Sequence, residues 1–231
     1  MKNLLLGCLL LCLTSGLSAQ CFASFEAHGA LGASNAVVST SGGNGQWGFN
    51  NRFGIGGSYR ISPLSWIKVG FQFNGYHIRN AALDNLRWGT QHDGQGGFDP
   101  NAPSGEDFDL PMLNHRYVEG MVSLRRYFSQ YVSPWSPYLE GGIVVGGYGT
   151  TTTQSTTPGD PPRSRRDPDL NGTALIGRAA VGVDWQVSEI FSLYAQPTLQ
   201  YHLRDINQAS NRREYPYQLS LEIGMRLFAV R

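Results

Sequence analysis

The last fifteen residues of the chain alternate between two kinds of side chain. In YQLSLEIGMRLFAVR, residues 217–231, every second residue from Tyr217 to Ala229 is apolar, and the residues between them include Glu222 and Arg226. Because successive side chains of a strand point to opposite faces, this stretch predicts a strand with one apolar face and one charged face. The fold must therefore enclose two charges without leaving the backbone of the strand unpaired.

The same alternation recurs in seven earlier segments, and no helical period persists. These segments lie near residues 22–34, 47–61, 67–76, 112–128, 137–150, 175–188 and 191–204. Short turns follow the second, fourth and sixth segments, whereas longer polar links follow the others, two of them near residues 80–111 and 151–171. An even number of strands with short turns at one end and long loops at the other is typical of membrane barrels. The sequence predicts an all-β fold, an eight-stranded antiparallel up-and-down transmembrane β-barrel.

The first twenty residues have the composition of a secretory signal. Lys2 precedes an apolar run from Leu4 to Leu13, and small residues follow as far as Ala19. The run is shorter than the roughly 20 residues that a membrane helix needs. We therefore expect residues 1–20 to be a signal peptide and residues 21–231 to form the barrel domain. Removal of the signal would leave Cys21 as the single cysteine, so no internal disulfide is expected, and its lipidation stays open.

Lysine is nearly absent from the exported part of the chain. Loss of Lys2 would lower the basic residues from 18 to 17, equal to the 17 acidic residues, and Lys68 is the remaining lysine. Nucleic-acid-binding domains carry a basic excess, and soluble domains cover their surface with charged residues. The sequence shows neither pattern, so it predicts no nucleic-acid partner and favours an exterior that faces lipid.

An eight-stranded barrel has an interior that side chains fill, which gives the charged face a place to point. Charges buried there need partners. We therefore predict a lumenal ion-pair network in which Glu222 and Arg226 lie near Glu26 and Arg52, where the last strand meets the first. The predicted network comprises Glu26, Arg52, Lys68, Glu119, Arg125, Glu140, Arg178, Asp184, Glu222 and Arg226, and Arg60 and Arg204 share its phase.

Aromatic residues gather near the ends of the predicted strands. Such rings are typical of the two interfaces between a membrane and water. The predicted aromatic belts contain Trp47, Phe49, Tyr59, Trp66, Tyr76, Tyr127, Tyr138, Trp185, Tyr215 and Tyr217.

Through the signal, the eight alternating segments, the loop lengths and a final strand ending near Phe228, the chain resembles small outer-membrane barrels. These are barrels of the OmpA and OmpX type and the related PorT-like family. The resemblance implies the outer membrane of a Gram-negative bacterium, with both barrel termini in the periplasm. It also implies contact with outer-membrane lipids and lipopolysaccharide, and insertion by the barrel assembly machinery, which in that family recognises an aromatic residue near the C-terminus. Here Phe228 lies three residues before Arg231, the last residue, so this part of the resemblance is imperfect.

For function, the resemblance leaves the activity open, and the first interpretation is a non-enzymatic anchor for long surface loops. Its role would be membrane integrity, surface binding, or support of secretion and assembly, without a cofactor and with an unknown extracellular ligand. The acids of the first long loop do not match the spacing of a calcium-binding EF-hand, so no metal site is predicted. They are Asp93, Asp99, Glu106, Asp107 and Asp109. Arginines of the second long loop, Arg163, Arg165 and Arg166, are suited to bind phosphate.

Three alternatives remain open. A lipid-modifying barrel enzyme needs an oriented base near the outer rim; His115 and His202 lie there and His28 lies deeper, but none begins the His-x-Ser signature of deacylase barrels. A soluble lipocalin-like ligand binder would hold the apolar face inside. A conducting pore would need a lumen that its large side chains leave open.

Overall fold

The computed structural model describes residues 22–38, 46–79, 112–129, 134–154, 163–166, 168, 170–207 and 213–228. The predicted signal at residues 1–20, Cys21 and the loop at residues 80–111, with its acids, lie outside the described residues. Among the described residues, no helix is long and apolar enough to span a membrane.

Nine strands form in the described part of the chain. They are β1 (Phe22–Val38), β2 (Gln46–Arg60), β3 (Ser65–Arg79), β4 (Met112–Tyr127), β5 (Trp135–Gln154), β6 (Arg163–Arg165), β7 (Thr173–Ser188), β8 (Phe191–His202) and β9 (Glu214–Phe228). Each of the eight predicted segments corresponds to one long strand. The short strand β6 was not predicted; it lies in the second long loop and pairs with the end of β5 at residues 151–153.

The eight long strands close into a ring. Each is antiparallel to both neighbours, in the order β4-β3-β2-β1-β9-β8-β7-β5, and β4 also pairs with β5. The closing pair of β1 and β9 runs from Ser24 opposite Phe228 to Val38 opposite Glu214. Closure pairs the backbone groups around the ring and leaves it no open edge. The predicted eight-stranded antiparallel up-and-down barrel is confirmed.

The two faces of the strands meet different surroundings. In β9, Ile223 is 57% exposed on the outside of the barrel, whereas its neighbour Glu222 is 0% exposed inside it. The other long strands follow the same pattern, with mostly apolar side chains outward and mostly polar or aromatic side chains inward. This is the reverse of the arrangement that a lipocalin-like ligand binder would have.

The connections divide the barrel into two ends. Residues 61–64, 128–134 and 189–190 link strands at one end, here called the turn end, where β1 begins and β9 finishes. At the turn end, the amide nitrogens of Ile61 and Ser62 donate to the Ser65 carbonyl at 3.0 and 3.1 Å. The strand ends that the longer connections join, such as Arg79 of β3 and Met112 of β4, lie at the opposite end, here called the loop end.

Candidate functional site: the barrel lumen

Glu26 of β1 is one centre of the charged lumen. Its carboxylate accepts a hydrogen bond of 2.8 Å from Arg226 Nε and one from the Ser58 hydroxyl. Lys68 Nζ lies 3.1 Å and Arg125 Nη1 lies 3.4 Å from its oxygens. Glu26 is fully buried, so three cations from β3, β4 and β9, rather than bulk water, stabilise its charge.

Glu222 of β9 is a second centre, nearer the loop end. Arg52 Nη2 donates to it at 2.9 Å and Arg178 Nη2 at 3.0 Å. Lys68 Nζ, at 3.7 Å, links this centre to Glu26, and Gln196 Nε2 of β8 donates at 2.7 Å. Lys68 thus bridges the two buried carboxylates.

Two further acids extend the network across the lumen. Glu140 of β5 lies 2.8 Å from Arg125 Nη2 and 3.2 Å from Arg178 Nε. Asp184 of β7 accepts a hydrogen bond of 2.8 Å from Arg226 Nη1 and another from the Tyr127 hydroxyl. With Gln196 included, every long strand contributes at least one side chain, so the network connects the whole circumference of the barrel.

Glu119 differs from the prediction in its partners. Its carboxylate accepts hydrogen bonds from Asn74 Nδ2 at 3.0 Å, from the Tyr76 hydroxyl at 3.3 Å and from Gln72 Nε2. These partners are neutral, because Glu119 lies toward the loop end, where amide side chains and tyrosines replace arginines. Among the described residues, no basic group pairs with Glu119, so it is buried with the network but is not part of it.

Arg60 and Arg204 do not enter the lumen, contrary to the prediction. Both are exposed. Arg60 ends β2 and donates to the carbonyls of Ser62 and Pro63 in the adjacent turn, and Arg204 follows the end of β8. The alternation of the sequence continues to the very end of β2 and beyond the end of β8. At these positions the long arginine side chains reach water instead of the lumen.

Four of the ten predicted belt residues also lie in the lumen. Trp66, Tyr76, Tyr127 and Tyr138 are buried, because they share the phase of the lumenal charges. The outward members are Trp47, Phe49, Tyr59 and Trp185, which are exposed, and Tyr215 and Tyr217, which are half-buried. Trp135, absent from the prediction, stacks on Trp185 at the turn end with ring centroids 5.4 Å apart.

The inward aromatic residues close the lumen at both ends. Trp66, Tyr127 and Tyr138 form a cluster at the turn end. Toward the loop end, the rings of Tyr76 and Tyr117 pack edge to face with their centroids 5.5 Å apart. They lie on the loop-end side of the amide groups around Glu119. Between the clusters, the Tyr194 hydroxyl accepts a hydrogen bond of 3.2 Å from Lys68 Nζ. Large side chains therefore fill the lumen from end to end.

We expect the barrel not to conduct ions steadily, because its arginine and tyrosine side chains occupy the path along the axis. An eight-stranded barrel has little more space than its side chains need. The measurement is a current recording of the purified protein in a planar lipid bilayer. Discrete, stable current steps would contradict the packing described above and favour the pore.

Gly182 of β7 makes room for one of these rings. A Cβ at this position would lie 2.5 Å from Tyr138 Cζ and 2.8 Å from Gln196 Cβ, whereas a Cβ at Gly141 of the paired strand meets nothing within 4 Å. We expect Gly182→Ala to lower the free energy of unfolding by about 1–3 kcal/mol, the usual cost of overpacking. Urea unfolding of the lipid-inserted barrel measures this change, and Gly141→Ala is the matched control. Equal stabilities of the two variants would contradict the packing of Tyr138.

The three histidines considered for catalysis are buried in the lumen. His115 Nδ1 lies 2.8 Å from Thr151 Oγ1, and the His202 ring packs against the Tyr76 ring at 4.7 Å. None of the three presents a ring nitrogen to the outer surface of the barrel. In the described part of the chain, no three histidine, cysteine or acidic side chains are arranged to hold a metal ion.

Comparison with known proteins gives a general likeness in fold. No family model and no curated protein sequence matches the chain. Neisserial surface protein A (NspA) is 15% identical, over 88% of this chain and 96% of that chain, with a TM-score of 0.49. The outer membrane protein OprG from Pseudomonas aeruginosa is 11% identical, over 92% of this chain and 98% of that chain, with a TM-score of 0.45. The outer membrane enzyme PagL is 10% identical, over 86% of this chain and 97% of that chain, with a TM-score of 0.44. A likeness at this level assigns no activity.

Proposed function

We propose that the chain is a non-enzymatic integral protein of the outer membrane whose barrel anchors long loops at the cell surface. The observation that carries this proposal is the closed ring with apolar side chains outward and ion pairs inward. Both barrel termini, at the turn end, lie in the periplasm, and the loops at residues 80–111 and 155–172 lie outside. The role served is a surface platform, in membrane integrity, surface binding or support of secretion.

The outward face supports the membrane location. Exposed apolar side chains occur on every long strand; among them are Leu31, Phe53, Phe71, Val122, Ile143, Val181, Leu199 and Ile223. Soluble monomers rarely expose contiguous apolar patches larger than a few hundred Å², whereas a membrane barrel needs an apolar band about 25 Å tall around its circumference. Membrane lipids, including lipopolysaccharide, are the partners proposed for this band, and the barrel assembly machinery is the partner proposed for its insertion.

The filled lumen supports an anchoring role. Ion pairs and the Gln196 hydrogen bond, which together join all the long strands, would resist changes in barrel shape, and the enclosed histidines offer no base at the rim. Binding would then depend on the loops, which have no regular alternation and are rich in turn-forming residues. Surface loops on a rigid scaffold are a common location for binding residues.

Epitope labelling tests the orientation that this function requires. One variant carries a short epitope after Ser104 in the first long loop, and a matched variant carries it after Pro63 in a short turn. We expect antibody to label the Ser104 variant on intact cells and the Pro63 variant only after the outer membrane is permeabilised. The opposite pattern, or recovery of both variants in the soluble fraction, would contradict the proposal.

A further inference from the structure

A depression of about 370 Å³ lies on the outward face of β2, β3 and β4, toward the loop end. Its polar lining includes Asn51, Asn114 and Arg116, and its apolar side includes Phe53 and Phe73. Asn51 is opposite Gly75 in the β2–β3 pairing, and Gly75 is opposite Arg116 in the β3–β4 pairing. The register of three strands thus brings two amides and a guanidinium together around one glycine.

Gly75 allows the two amides to converge. A Cβ at this position would lie 2.8 Å from Asn51 Oδ1 and 3.1 Å from Asn114 Oδ1. Asn114 Oδ1 is buried and has no hydrogen-bond partner among the residues that the structure describes, which is a costly state for a polar atom. Within the described residues, the Arg116 guanidinium likewise has no hydrogen bond or ion pair. The polar groups of this depression are therefore available to a ligand.

A second depression, of about 360 Å³, adjoins the first. The two share Asn51 and Phe53, and the second has Gly29 at its base with Leu31 and Leu221 beside it. It is apolar, because Gly29 has no side chain and the neighbouring outward side chains of β1, β2 and β9 are Leu31, Phe53, Leu221 and Ile223. The side chains of Asn51 and Phe53 thus border a polar pocket on one side and, on the other, an apolar groove that suits a hydrocarbon chain.

The position of the pocket relates it to the membrane surface. From Gly75 toward the turn end, the outward residues of β3 are Phe73, Phe71 and Val69, all exposed and apolar. The next outward residue toward the loop end is His77, which is half-buried. On β3 the pocket therefore lies where the apolar side chains end toward the loop end, and on β2 the outward rings of Phe49 and Trp47 lie beyond it. Because such rings mark the interface of a membrane with water, the pocket is at the level of the lipid headgroups, which belong to the outer leaflet in the proposed orientation.

We propose that this pocket binds a phosphorylated glycolipid of the lipid A type from the outer leaflet. Arg116 would bind a phosphate through the paired N–H groups of its guanidinium. Asn51 and Asn114 would bind sugar hydroxyl or amide groups, which match amides as both donors and acceptors. Acyl chains would lie against Phe53 and Phe73 and in the groove at Gly29. This proposal rests on the proposed function, because it requires the loop end to face outward.

Arg126 provides a matched control. It lies on the same strand and the same outward face as Arg116, is also exposed, and occupies the turn end, where it donates to Ser65 Oγ at 3.3 Å. Removing either arginine subtracts one outward charge from β4. The Arg116 variant alone removes the charge from the depression.

The test uses the full chain purified from membranes in detergent, with diphosphoryl lipid A and phosphatidylglycerol as separate probes, and native mass spectrometry as the readout. We expect Arg116→Gln to weaken lipid A binding about tenfold, equivalent to about 1.4 kcal/mol, and Arg126→Gln to leave it unchanged. Equal loss in both variants, or no loss in Arg116→Gln, would overturn the proposal. Equal binding of the two probes by the wild-type protein would overturn the choice of a glycolipid.

A second variant covers the case in which Arg116→Gln does not fold. Gly75→Leu places a side chain in the depression without changing charge, and we expect it to weaken lipid A binding to a similar extent. Retained binding would overturn the proposal. Failure here is distinguishable from failure of the proposed function, because epitope labelling reports the orientation of the wild-type barrel independently of lipid A.

Discussion

Replacing Glu222 by glutamine lowers the expected free energy of unfolding by about 3–5 kcal/mol, the usual cost of removing one partner from a buried ion pair. The variant keeps the shape of the side chain but removes the negative charge that Arg52 and Arg178 approach to 2.9 and 3.0 Å. Lys68, at 3.7 Å, would lose the same partner. Lys68 would keep Glu26 and Arg178 would keep Glu140, but among the described residues Arg52 would keep no carboxylate partner, and burial of charge without compensation is strongly unfavourable.

The measurement for Glu222→Gln is urea unfolding of the barrel refolded into lipid vesicles, followed by tryptophan fluorescence. Glu189→Gln is the matched control, because Glu189 is exposed in the turn between β7 and β8 and surface substitutions usually change stability by less than about 0.5 kcal/mol. A Glu222→Gln variant as stable as the Glu189→Gln variant would contradict a tightly paired lumen.

Replacing Ile223 by arginine has the second large expected effect, a loss of about 2–4 kcal/mol in the free energy of unfolding. Ile223 lies next to Glu222 in β9 but points outward near the middle of the strand. A basic side chain on the lipid face costs most at the bilayer midplane and falls to about 0–1 kcal/mol near the interfaces. Val37→Arg is the matched control, because Val37 is an exposed residue near the loop end of β1.

The same unfolding experiment in lipid vesicles measures both arginine variants. We expect the Ile223→Arg variant to be clearly less stable than the Val37→Arg variant, since only the former places its charge deep in hydrocarbon. Equal stabilities would indicate that water surrounds the outward face, contrary to a membrane-spanning barrel. The Glu222→Gln and Ile223→Arg variants together test the stability contributions of the inward and the outward face of β9 separately.

The alternation of the sequence was enough to place most lumenal charges, because the period of a strand fixes the face on which each side chain lies. It could not assign their partners. Lys68 bridges Glu26 and Glu222, whereas Glu119 has neutral neighbours, and this difference depends on the stagger of the strands. The sequence around Glu119 contains no feature that distinguishes it from Glu26.

The errors concern the ends of strands. Proximity to strand ends predicts interfacial belts for Tyr76 and Tyr127, although their phase matches that of Lys68 and Arg125 respectively. Phase predicts a lumenal position for Arg60 and Arg204, although their strands end there. Position along a strand and phase must therefore be considered together for aromatic and arginine residues, whose side chains are long enough to reach either environment.

The Arg116 depression was missed for a different reason. Asn51, Gly75 and Arg116 lie on three strands, and their proximity follows from two strand registers that the sequence does not specify. The sequence does contain an arginine and two asparagines at outward positions that are otherwise apolar. That these three side chains lie close together is evident only when the registers are known. The same holds for Gly182, whose importance depends on the Tyr138 ring of a neighbouring strand.

Outer-membrane fractionation, followed by electrophoresis with and without boiling, tests the central claim most directly. Closed membrane barrels often stay folded in detergent and change mobility only when heated, and the continuous strand pairing and lumenal ion pairs lead us to expect this behaviour here. We expect a band in the outer-membrane fraction whose mobility shifts on boiling. A band in the soluble fraction whose mobility does not change on boiling would contradict it.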